Sequence, residues 1–426
     1  MLNALAKPRP AQAAGALPPD ALPPDALPPD EPAPAEPPPA SRRRATQTFL
    51  THAARSKAFH GFVNPPIYRG STVLFDSMDD LIHGRAEFTY GRKGNPSTQA
   101  LESAWTELAG AAGTILCGSG LAAITTALLS VARAGDHLLV VDTVYGPVRA
   151  LCDGLLERFG VAVTYFPPDP GAAFEQAFRD NTVAVYLESP GSLTMEIQDI
   201  PGLARIAHAR GACVLMDNTW STPILFDAHA AGVDISIEAG TKYLGGASDL
   251  LLGLASANSA YWPRLLDTHR MLGCIAGPED VFLALRGFRT LDLRLRESGR
   301  RALEIAQWLR SRPEVLAVLH PALEQSPGHG YWKRDYHGAS GLFSIILAPV
   351  SRQSLAQMLD GFRLFGMGYS WGGFESLVTP IDHDLVRSAK PWPHSGPTLR
   401  LYIGLEDVED LKQDLSDGFS RLTGKY

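Results

Sequence analysis

Apolar runs alternate with amphipathic stretches from about residue 110 to the C-terminus. His137–Val141, Val183–Leu187 and Ala212–Met216 are short, mostly apolar runs, typical of strands that are buried on both faces. Helical periodicity separates them, as in Leu203–Arg210. This alternation predicts an α/β domain with a mostly parallel sheet and right-handed crossovers, which binds ligands at the carboxyl ends of its strands. Residues 291–312 predict one long helix, leading into a smaller C-terminal α+β domain.

One uncharged run is long enough to raise the question of a membrane span. It covers residues 108–132, but several glycines interrupt it, among them Gly118 and Gly120. A strand, a glycine loop and a buried helix describe the run better, and no other stretch is a convincing span. We therefore expect a protein that does not associate with membranes.

Composition changes this picture mainly at the N-terminus. Thirteen of the 33 prolines lie in the first 39 residues, where the sequence ALPPD occurs three times between Ala16 and Asp30. Such a segment cannot bury enough surface to offset its ordering entropy, so residues 1–45 are predicted to form a disordered or polyproline-like tail. The alternative is a docking motif for a polyproline-binding partner. The segment lacks the apolar core typical of a secretory signal.

Charge and cysteine content exclude some classes of protein. The net charge is −7 and the pI is near 6.0, whereas a dedicated nucleic-acid binder needs a basic surface. Four cysteines in 426 residues are too few for a disulfide framework, and none has CxxC spacing. We therefore expect neither a structural zinc site nor any other metal centre.

Three features together indicate pyridoxal phosphate. Cys117–Ala123 is a glycine loop at the start of a predicted helix, where free N–H groups can bind an anion, although it matches neither GxxxxGK[ST] nor GxGxxG. Asp217 follows a predicted strand, and Lys242 comes 25 residues later. Alone, this pair could be a structural ion pair, and the loop a tight strand–helix turn. A lysine amine can also hold an aldehyde cofactor, a carboxylate can keep its pyridine nitrogen protonated, and the loop can hold its phosphate.

Seven motifs, in order and at matching spacing, give the chain a family resemblance. From about Thr51 to the C-terminus it resembles the Cys/Met-metabolism family of pyridoxal-phosphate enzymes, within the fold-type-I class. The motifs are Val63–Pro66, Tyr90–Gly94, Glu188–Glu196, Asp217–Trp220, Thr241–Leu244, Ser370–Leu377 and Arg400–Asp407.

The resemblance implies roles for the residues around the cofactor. Lys242 would form the Schiff base and then exchange the substrate's Cα proton, and Asp217 would pair with the pyridine nitrogen. Tyr145 would stack on the ring, contact the substrate and assist proton transfer. The backbone N–H groups of Gly120 and Leu121 and the hydroxyl of Thr241 would bind the phosphate.

Further residues are implied to reach the site from elsewhere. Tyr90 and Arg92 would contact the cofactor phosphate of a neighbouring subunit, although a solvated surface pair is the alternative. Arg400 would hold the substrate α-carboxylate, with Ser370 and Trp371 beside it; an isolated strand arginine is otherwise usually a surface ion pair.

The resemblance also implies an activity. We expect β-elimination of L-cystathionine to homocysteine, pyruvate and ammonia, a step of methionine biosynthesis. The alternatives are a general cysteine-S-conjugate β-lyase, a cystathionine or methionine γ-lyase, a γ-synthase, or a non-catalytic scaffold with a proline-rich docking tail. Ala239 replaces a serine common in the family, and Gly191 stands where γ-acting members carry asparagine; both favour the β-lyase branch. Ala247, where that branch usually has histidine, leaves the substrate preference open.

Four regions are expected along the chain. They are the tail over 1–45, an arm over 46–95 that reaches the neighbouring subunit, a cofactor-binding α/β domain over 96–288, and a C-terminal α+β domain over 289–426. The family resemblance further implies a cytoplasmic homotetramer built from two active-site dimers.

Overall fold

The larger of two sheets has seven strands. The computed structural model describes residues 45–424, and the strands of this sheet lie between Gly113 and Ala257. Its strand order is β1-β7-β6-β5-β4-β2-β3. The strands are β1 Gly113–Cys117, β2 His137–Val141, β3 Ala162–Phe166, β4 Thr182–Glu188, β5 Cys213–Asp217, β6 Ile235–Glu238 and β7 Gly253–Ala257.

Six of the seven strands run in the same direction. Strand β7 is the exception, because it pairs antiparallel with both β1 and β6. Helices cover the sheet on both faces, which is why strands such as β2 are fully buried and, apart from His137, apolar. The mostly parallel sheet that the sequence predicted is confirmed. The predicted strand at Ala212–Met216 lies one residue further along as β5, so Asp217 is the last residue of that strand rather than the residue after it.

Fourteen α-helices surround the sheets in the described part of the chain. The first seven are α1 Thr46–His52, α2 Met78–His83, α3 Pro96–Ala109, α4 Gly120–Val131, α5 Gly146–Ala150, α6 Ala173–Gln176 and α7 Ile200–Ala209. The others are α8 Thr222–Leu225, α9 Trp262–Leu272, α10 Pro278–Phe288, α11 Leu291–Leu309, α12 His329–Asp335, α13 Arg352–Asp360 and α14 Val408–Thr423. A π-helical turn at Leu151–Leu156 continues α5, and short 3₁₀ turns lie at Lys57–Phe59 and Gly91–Lys93.

Helix α3 shows how local sequence sets an element's ends. Asn95 accepts hydrogen bonds from the backbone N–H groups of Ser97 and Thr98, and Pro96 occupies the first helical position. Gly110 ends the helix in the left-handed conformation, with φ of 66°.

The second sheet has five strands in the order β10-β11-β12-β9-β8. Only β10 and β11 pair in parallel. The strands are β8 Val315–Leu319, β9 Leu342–Leu347, β10 Gly366–Met367, β11 Leu377–Pro380 and β12 Thr398–Tyr402. With α11, α13 and α14 packed against it, this part of the chain has the predicted α+β character.

Helix α11 belongs to two hydrophobic cores. Leu291 and Leu295, near its start, are buried in the core of the large sheet. Ile305 and Leu309, near its end, are buried in the core of the second sheet. The predicted long helix is therefore present, ending at Leu309. The boundary at residue 289 stays a prediction, since one continuous helix serves both cores.

The predicted tail lies almost wholly outside the described residues, which begin at Ala45. Within residues 45–424, no helix is both long enough and apolar enough to cross a membrane.

Candidate active site

A cavity of about 460 Å³ lies at the carboxyl ends of the parallel strands, where ligand sites of such sheets are expected. Glu188 and Asp217, the last residues of β4 and β5, are paired in register at its floor. The turn after β6 brings Lys242 to the same place. Most of the predicted site residues line this one cavity: Gly120, Leu121, Tyr145, Asp217, Thr241, Lys242, Ser370, Trp371 and Arg400.

The glycine loop forms one wall of the cavity. Ser119 caps helix α4 by accepting a hydrogen bond from the N–H of Ala122. A Cβ atom at Gly120 would lie 2.8 Å from the Cβ of Ala239, so no larger residue fits without movement. The first N–H groups of a helix have no partner within it, and those of Gly120 and Leu121 can therefore bind an anion.

Asp217 is a buried acid that needs a cation. Burial raises the pKa of Asp217, while a hydrogen bond from the N–H of Thr219 and the charge of Lys242 act in the opposite direction. A protonated pyridine nitrogen in the cavity would supply such a cation and keep the carboxylate ionised.

Lys242 has an unusually acidic ammonium group. Burial, and then the charge of Arg400, lower its pKa to about 8, against the opposing effect of Asp217. Its Nζ donates a hydrogen bond to Ser370 Oγ at 2.7 Å and lies 5.3 Å from the centroid of the Trp371 ring. A substantial neutral fraction at neutral to mildly alkaline pH is the form that can attack an aldehyde or accept a proton.

Ser370 holds a strained backbone conformation to reach this position. Its φ is 78°, in the left-handed region that side chains rarely adopt, and Gly372 follows with φ of 90°. The strained residue is therefore the one whose hydroxyl accepts the hydrogen bond from Lys242 Nζ.

Glu188 is a site residue for which the sequence suggested no role. It accepts a hydrogen bond from the backbone N–H of Tyr145 at 2.7 Å, which fixes the tyrosine at the cavity mouth. Burial, and then the neighbouring Asp217, raise the pKa of Glu188 well above its usual range. Its position at the end of a predicted parallel strand was a signal that could have identified it.

Arg400 is a partly buried cation without a carboxylate partner in residues 45–424. Its Nη2 donates to Ser370 O at 3.3 Å and to Thr379 Oγ1 at 3.2 Å, and no acidic oxygen lies within 4.0 Å. Burial lowers the pKa of Arg400. A substrate carboxylate would satisfy the rest of its donors.

Two predicted phosphate ligands lie elsewhere. Tyr90 and Arg92 line a separate cavity of about 980 Å³, and Arg92 Nη1 donates to the carbonyl of Arg270 at 2.7 Å. Thr241 lies in the active-site cavity, but its hydroxyl bonds to the backbone of Leu252, donating to O at 3.2 Å and accepting from N at 3.0 Å.

The loop between β11 and β12 contributes to the cavity wall. Asp142, after β2, accepts hydrogen bonds from the backbone N–H groups of Ser388, Ala389 and Lys390 in this loop. The same carboxylate pairs with two arginines, Arg149 at 2.6 Å and Arg387 at 3.2 Å. The loop also carries Asp384 into the cavity, and nothing in the local sequence pointed to that residue.

These groups fit pyridoxal phosphate. The buried acid suits the pyridine nitrogen, the amine of low pKa suits the aldehyde, the glycine loop suits the phosphate, and the half-exposed ring of Tyr145 can cover one face. Among residues 45–424, no cluster of three or more potential ligands for a metal ion is present.

Ala239 packs against the glycine loop, whereas nothing in the structure explains Ala247.

Comparison with known proteins identifies the family. The model of the "Cys/Met metabolism PLP-dependent enzyme" family matches residues 47–420. A cystathionine β-lyase homologue of Rhizobium johnstonii is 50% identical over 88% of this chain and 95% of its own. The cystathionine β-lyase of Escherichia coli is 40% identical over 88% of this chain and 98% of its own.

Solved structures agree with this relationship. A cystathionine γ-synthase of Xanthomonas oryzae pv. oryzae has a TM-score of 0.84 and 31% identity, covering 90% of this chain and 100% of its own. The fold-type-I assignment is therefore confirmed. By sequence and by fold, the chain belongs to the Cys/Met-metabolism family of pyridoxal-phosphate-dependent enzymes.

Proposed function

We propose that this protein is a cystathionine β-lyase, which converts L-cystathionine to homocysteine, pyruvate and ammonia. The observation that carries the proposal is the joint presence in one cavity of Lys242, Asp217 and Arg400. The β-lyase relatives of 40% and 50% identity support β-elimination over the γ-reactions. A catalytic site of this completeness argues against a scaffold that has lost its chemistry.

Substrate binding sets the geometry of the reaction. Arg400, lacking a carboxylate partner among residues 45–424, would clamp the α-carboxylate of the cysteine half. The carbonyl of Ser370 accepts a hydrogen bond from Arg400, and its hydroxyl accepts one from Lys242. Ser370 therefore links the residue that binds the carboxylate to the residue that takes the proton. This arrangement would aim the Cα–H bond at Lys242 Nζ.

Proton movement then follows from Lys242. When bound, pyridoxal phosphate supplies an electron-accepting ring that stabilises negative charge at Cα. Lys242 Nζ, with its pKa of about 8, would take the Cα proton. The β-carbon–sulfur bond breaks, and the proton held on Nζ is available to the departing homocysteine sulfur. Tyr145, whose pKa is raised by burial, keeps its phenolic proton and can donate a hydrogen bond at the cavity mouth.

The remaining contacts rest on the family resemblance. We assign the phosphate to Gly120, Leu121 and Thr241, and to Tyr90 and Arg92 of a neighbouring subunit. The second cavity, lined by Tyr90 and Arg92, supports a shared site, because these side chains do not enter the active-site cavity of their own chain. We also propose a cytoplasmic homotetramer of two such dimers.

Product analysis tests the proposed function. Purified enzyme loaded with pyridoxal phosphate is incubated with L-cystathionine, and the keto acid and thiol products are identified. Pyruvate with homocysteine is expected, and 2-oxobutyrate with cysteine would show γ-elimination instead. Lys242→Ala is the control, and it should lower kcat by at least about 100-fold, as expected for loss of an acid–base group.

A further inference from the structure

The loop between β11 and β12 is fixed at two points, with Asp384 between them. At one point Asp382 accepts a hydrogen bond from the N–H of Thr398 at 3.0 Å. At the other, Asp142 binds the backbone of Ser388 and the residues after it. The N–H of Asp384 itself donates to the carbonyl of Ile381 at 2.9 Å, closing a turn. The loop therefore holds Asp384 in a defined position on the cavity wall.

Asp384 differs from the other two acids of the cavity. Glu188 and Asp217 lie partly buried at the floor of the cavity and accept hydrogen bonds from the backbone N–H groups of Tyr145 and Thr219. The side chain of Asp384 is 39% exposed, and in the described residues the basic side chain within 4.0 Å of its carboxylate is the imidazole of His383, at 3.4 Å. It is thus the acid in this cavity that a substrate cation can approach.

Asp384 and Arg400 share the cavity without pairing. No oxygen of Asp384 lies within 4.0 Å of the guanidinium, yet the two charges interact, since Asp384 opposes the lowering of the Arg400 pKa by burial. The cavity thus offers one cation for a carboxylate and, separately, one anion for an ammonium group. Cystathionine carries a second ammonium on its homocysteine half, and leaving this charge unpaired inside a cavity would be costly.

We propose, resting on the function proposed above, that Asp384 binds the ammonium group of the homocysteine half and selects substrates that carry it. The residue contacts the substrate and takes no part in the proton transfers of Lys242. The cysteine half is held by Arg400 in every substrate, whereas the Asp384 contact is specific to S-substituents with a distal amine.

Two substrates and two variants test this role. The substrates are L-cystathionine and S-(3-carboxypropyl)-L-cysteine, which is the same molecule without the distal amine. Asp384→Asn removes the charge at nearly constant shape, and Asp382→Asn is the matched control, since it removes one charge from the same loop and keeps an oxygen for Thr398.

For Asp384→Asn we expect kcat/KM for cystathionine to fall about 10- to 100-fold, the usual range for losing a hydrogen bond to a charged group. The loss should appear mainly in KM, and kcat/KM for the analogue should change by less than about threefold. Asp384→Glu, which keeps the charge, should retain most of the preference for cystathionine. Asp382→Asn should leave the ratio of the two substrates unchanged.

Other outcomes overturn the assignment. Equal losses on both substrates would mean that Asp384 acts only through Arg400 or the loop, and no change on either would mean that it binds nothing. The wild-type assay separates this inference from the proposed function. Wild-type enzyme that forms no pyruvate from cystathionine contradicts the function itself, whereas active wild-type enzyme with an unchanged substrate ratio in Asp384→Asn contradicts only the role of Asp384.

Discussion

Lys242 is placed between two groups that act on its charge in opposite directions. Burial has the largest effect on its pKa and destabilises the ammonium form; Arg400 adds to that effect, and Asp217 opposes it. The net result is a pKa of about 8, compared with an ordinary value of 10.5. The same residue that orients the substrate therefore also helps to prepare the base.

The first prediction concerns the pH dependence of cofactor binding. Only the neutral amine of Lys242 attacks the cofactor aldehyde, so the rate of recombination with apoenzyme should rise with pH around a midpoint of about 8. In Arg400→Gln the midpoint should move upward, because the second cause of the lowered pKa is gone while burial remains. Stopped-flow absorbance with added pyridoxal phosphate measures this rate.

Arg300→Gln is the control, since this exposed arginine pairs with Glu297 and Glu304 on α11. Its midpoint should equal that of the wild type. A midpoint near 10 in the wild type, or one that Arg400→Gln leaves in place, would contradict the role given to Arg400.

Residue roles differed in how far the sequence could predict them. Lys242, Asp217 and Arg400 lie in motifs that the sequence made recognisable, and the structure brings all three to one cavity. Glu188 acts through a bond to the backbone of Tyr145, and Asp384 acts from a loop far along the chain. The position of Glu188 at the end of a predicted strand was a signal in the sequence. Its contact with Tyr145 and the place of Asp384 in the cavity depend on how separate segments pack, which residue type and spacing do not indicate.

At the scale of elements, the Ser370–Gly373 segment packs directly on the backbone of Lys242. A Cβ atom at Gly372 would lie 2.8 Å from Lys242 C and 2.9 Å from Tyr243 N, and its φ of 90° also disfavours any side chain. This contact therefore helps to fix the position of the Lys242 backbone.

Gly372→Ala should consequently displace Lys242. We expect kcat to fall by at least about tenfold, with a loss of stability of about 1–3 kcal/mol from the strained backbone. Gly368→Ala is the matched control, because a Cβ atom there meets nothing within 4 Å and φ is not positive. Steady-state kinetics and urea unfolding of both variants provide the comparison; equal kcat values in the two would refute the packing argument.

The Asp142 network is the second element-scale feature with a measurable consequence. Asp142 is fully buried, and the side chains of Arg149 and Arg387 are only 10% and 5% exposed. Burial opposes ionisation of Asp142, but hydrogen bonds from Ser388, Ala389 and Arg149 outweigh it and lower its pKa to about 2.

Asp142→Ala leaves two buried guanidinium groups without this partner, and we expect the free energy of unfolding to fall by about 3–5 kcal/mol. Because the folded-state pKa is depressed, the contribution is complete above about pH 4 and disappears as the pH falls towards 2. Urea unfolding at several pH values, at one protein concentration, measures both effects. The difference between wild type and variant should shrink below pH 4; a difference independent of pH would contradict the assignment.

Glu409→Gln is the comparison for an exposed ion pair. Glu409 is 77% exposed and bonds to Lys412, so its loss should cost less than about 1 kcal/mol.

Element positions were largely predictable where burial was uniform. Strand β2 coincides with the predicted His137–Val141, because a strand buried on both faces has a mostly apolar sequence. The reversed direction of β7 was not predictable, since the same apolar pattern serves parallel and antiparallel strands. The end of α11 was overestimated by three residues, as helix ends are marked only weakly in sequence.

At the scale of the whole molecule, the proposed active site needs two chains. Lys242 of one subunit and Arg92 of the next would serve the same cofactor. Lys242→Ala and Arg92→Ala should each be nearly inactive. Each variant keeps the residue that the other lacks, so a mixed dimer contains one site with both residues.

Mixing the two inactive variants therefore should restore activity. After denaturation and joint refolding, random pairing gives heterodimers with one intact site each, for a yield of about a quarter of wild-type activity. Pyruvate formation measures the recovery, and each variant refolded alone is the control. No recovery, in a mixture that gel filtration shows to have assembled, would contradict a shared site.

The arm before α3 has a further consequence for how the enzyme is made. In the single chain, Leu74 is 87% exposed, Met78 76% and Ile82 65%. A newly synthesised subunit therefore exposes an apolar surface, and association of the proposed subunits would compete with aggregation through that surface. In the proposed oligomer, the yield of native enzyme would then depend on subunits meeting their partners faster than they aggregate.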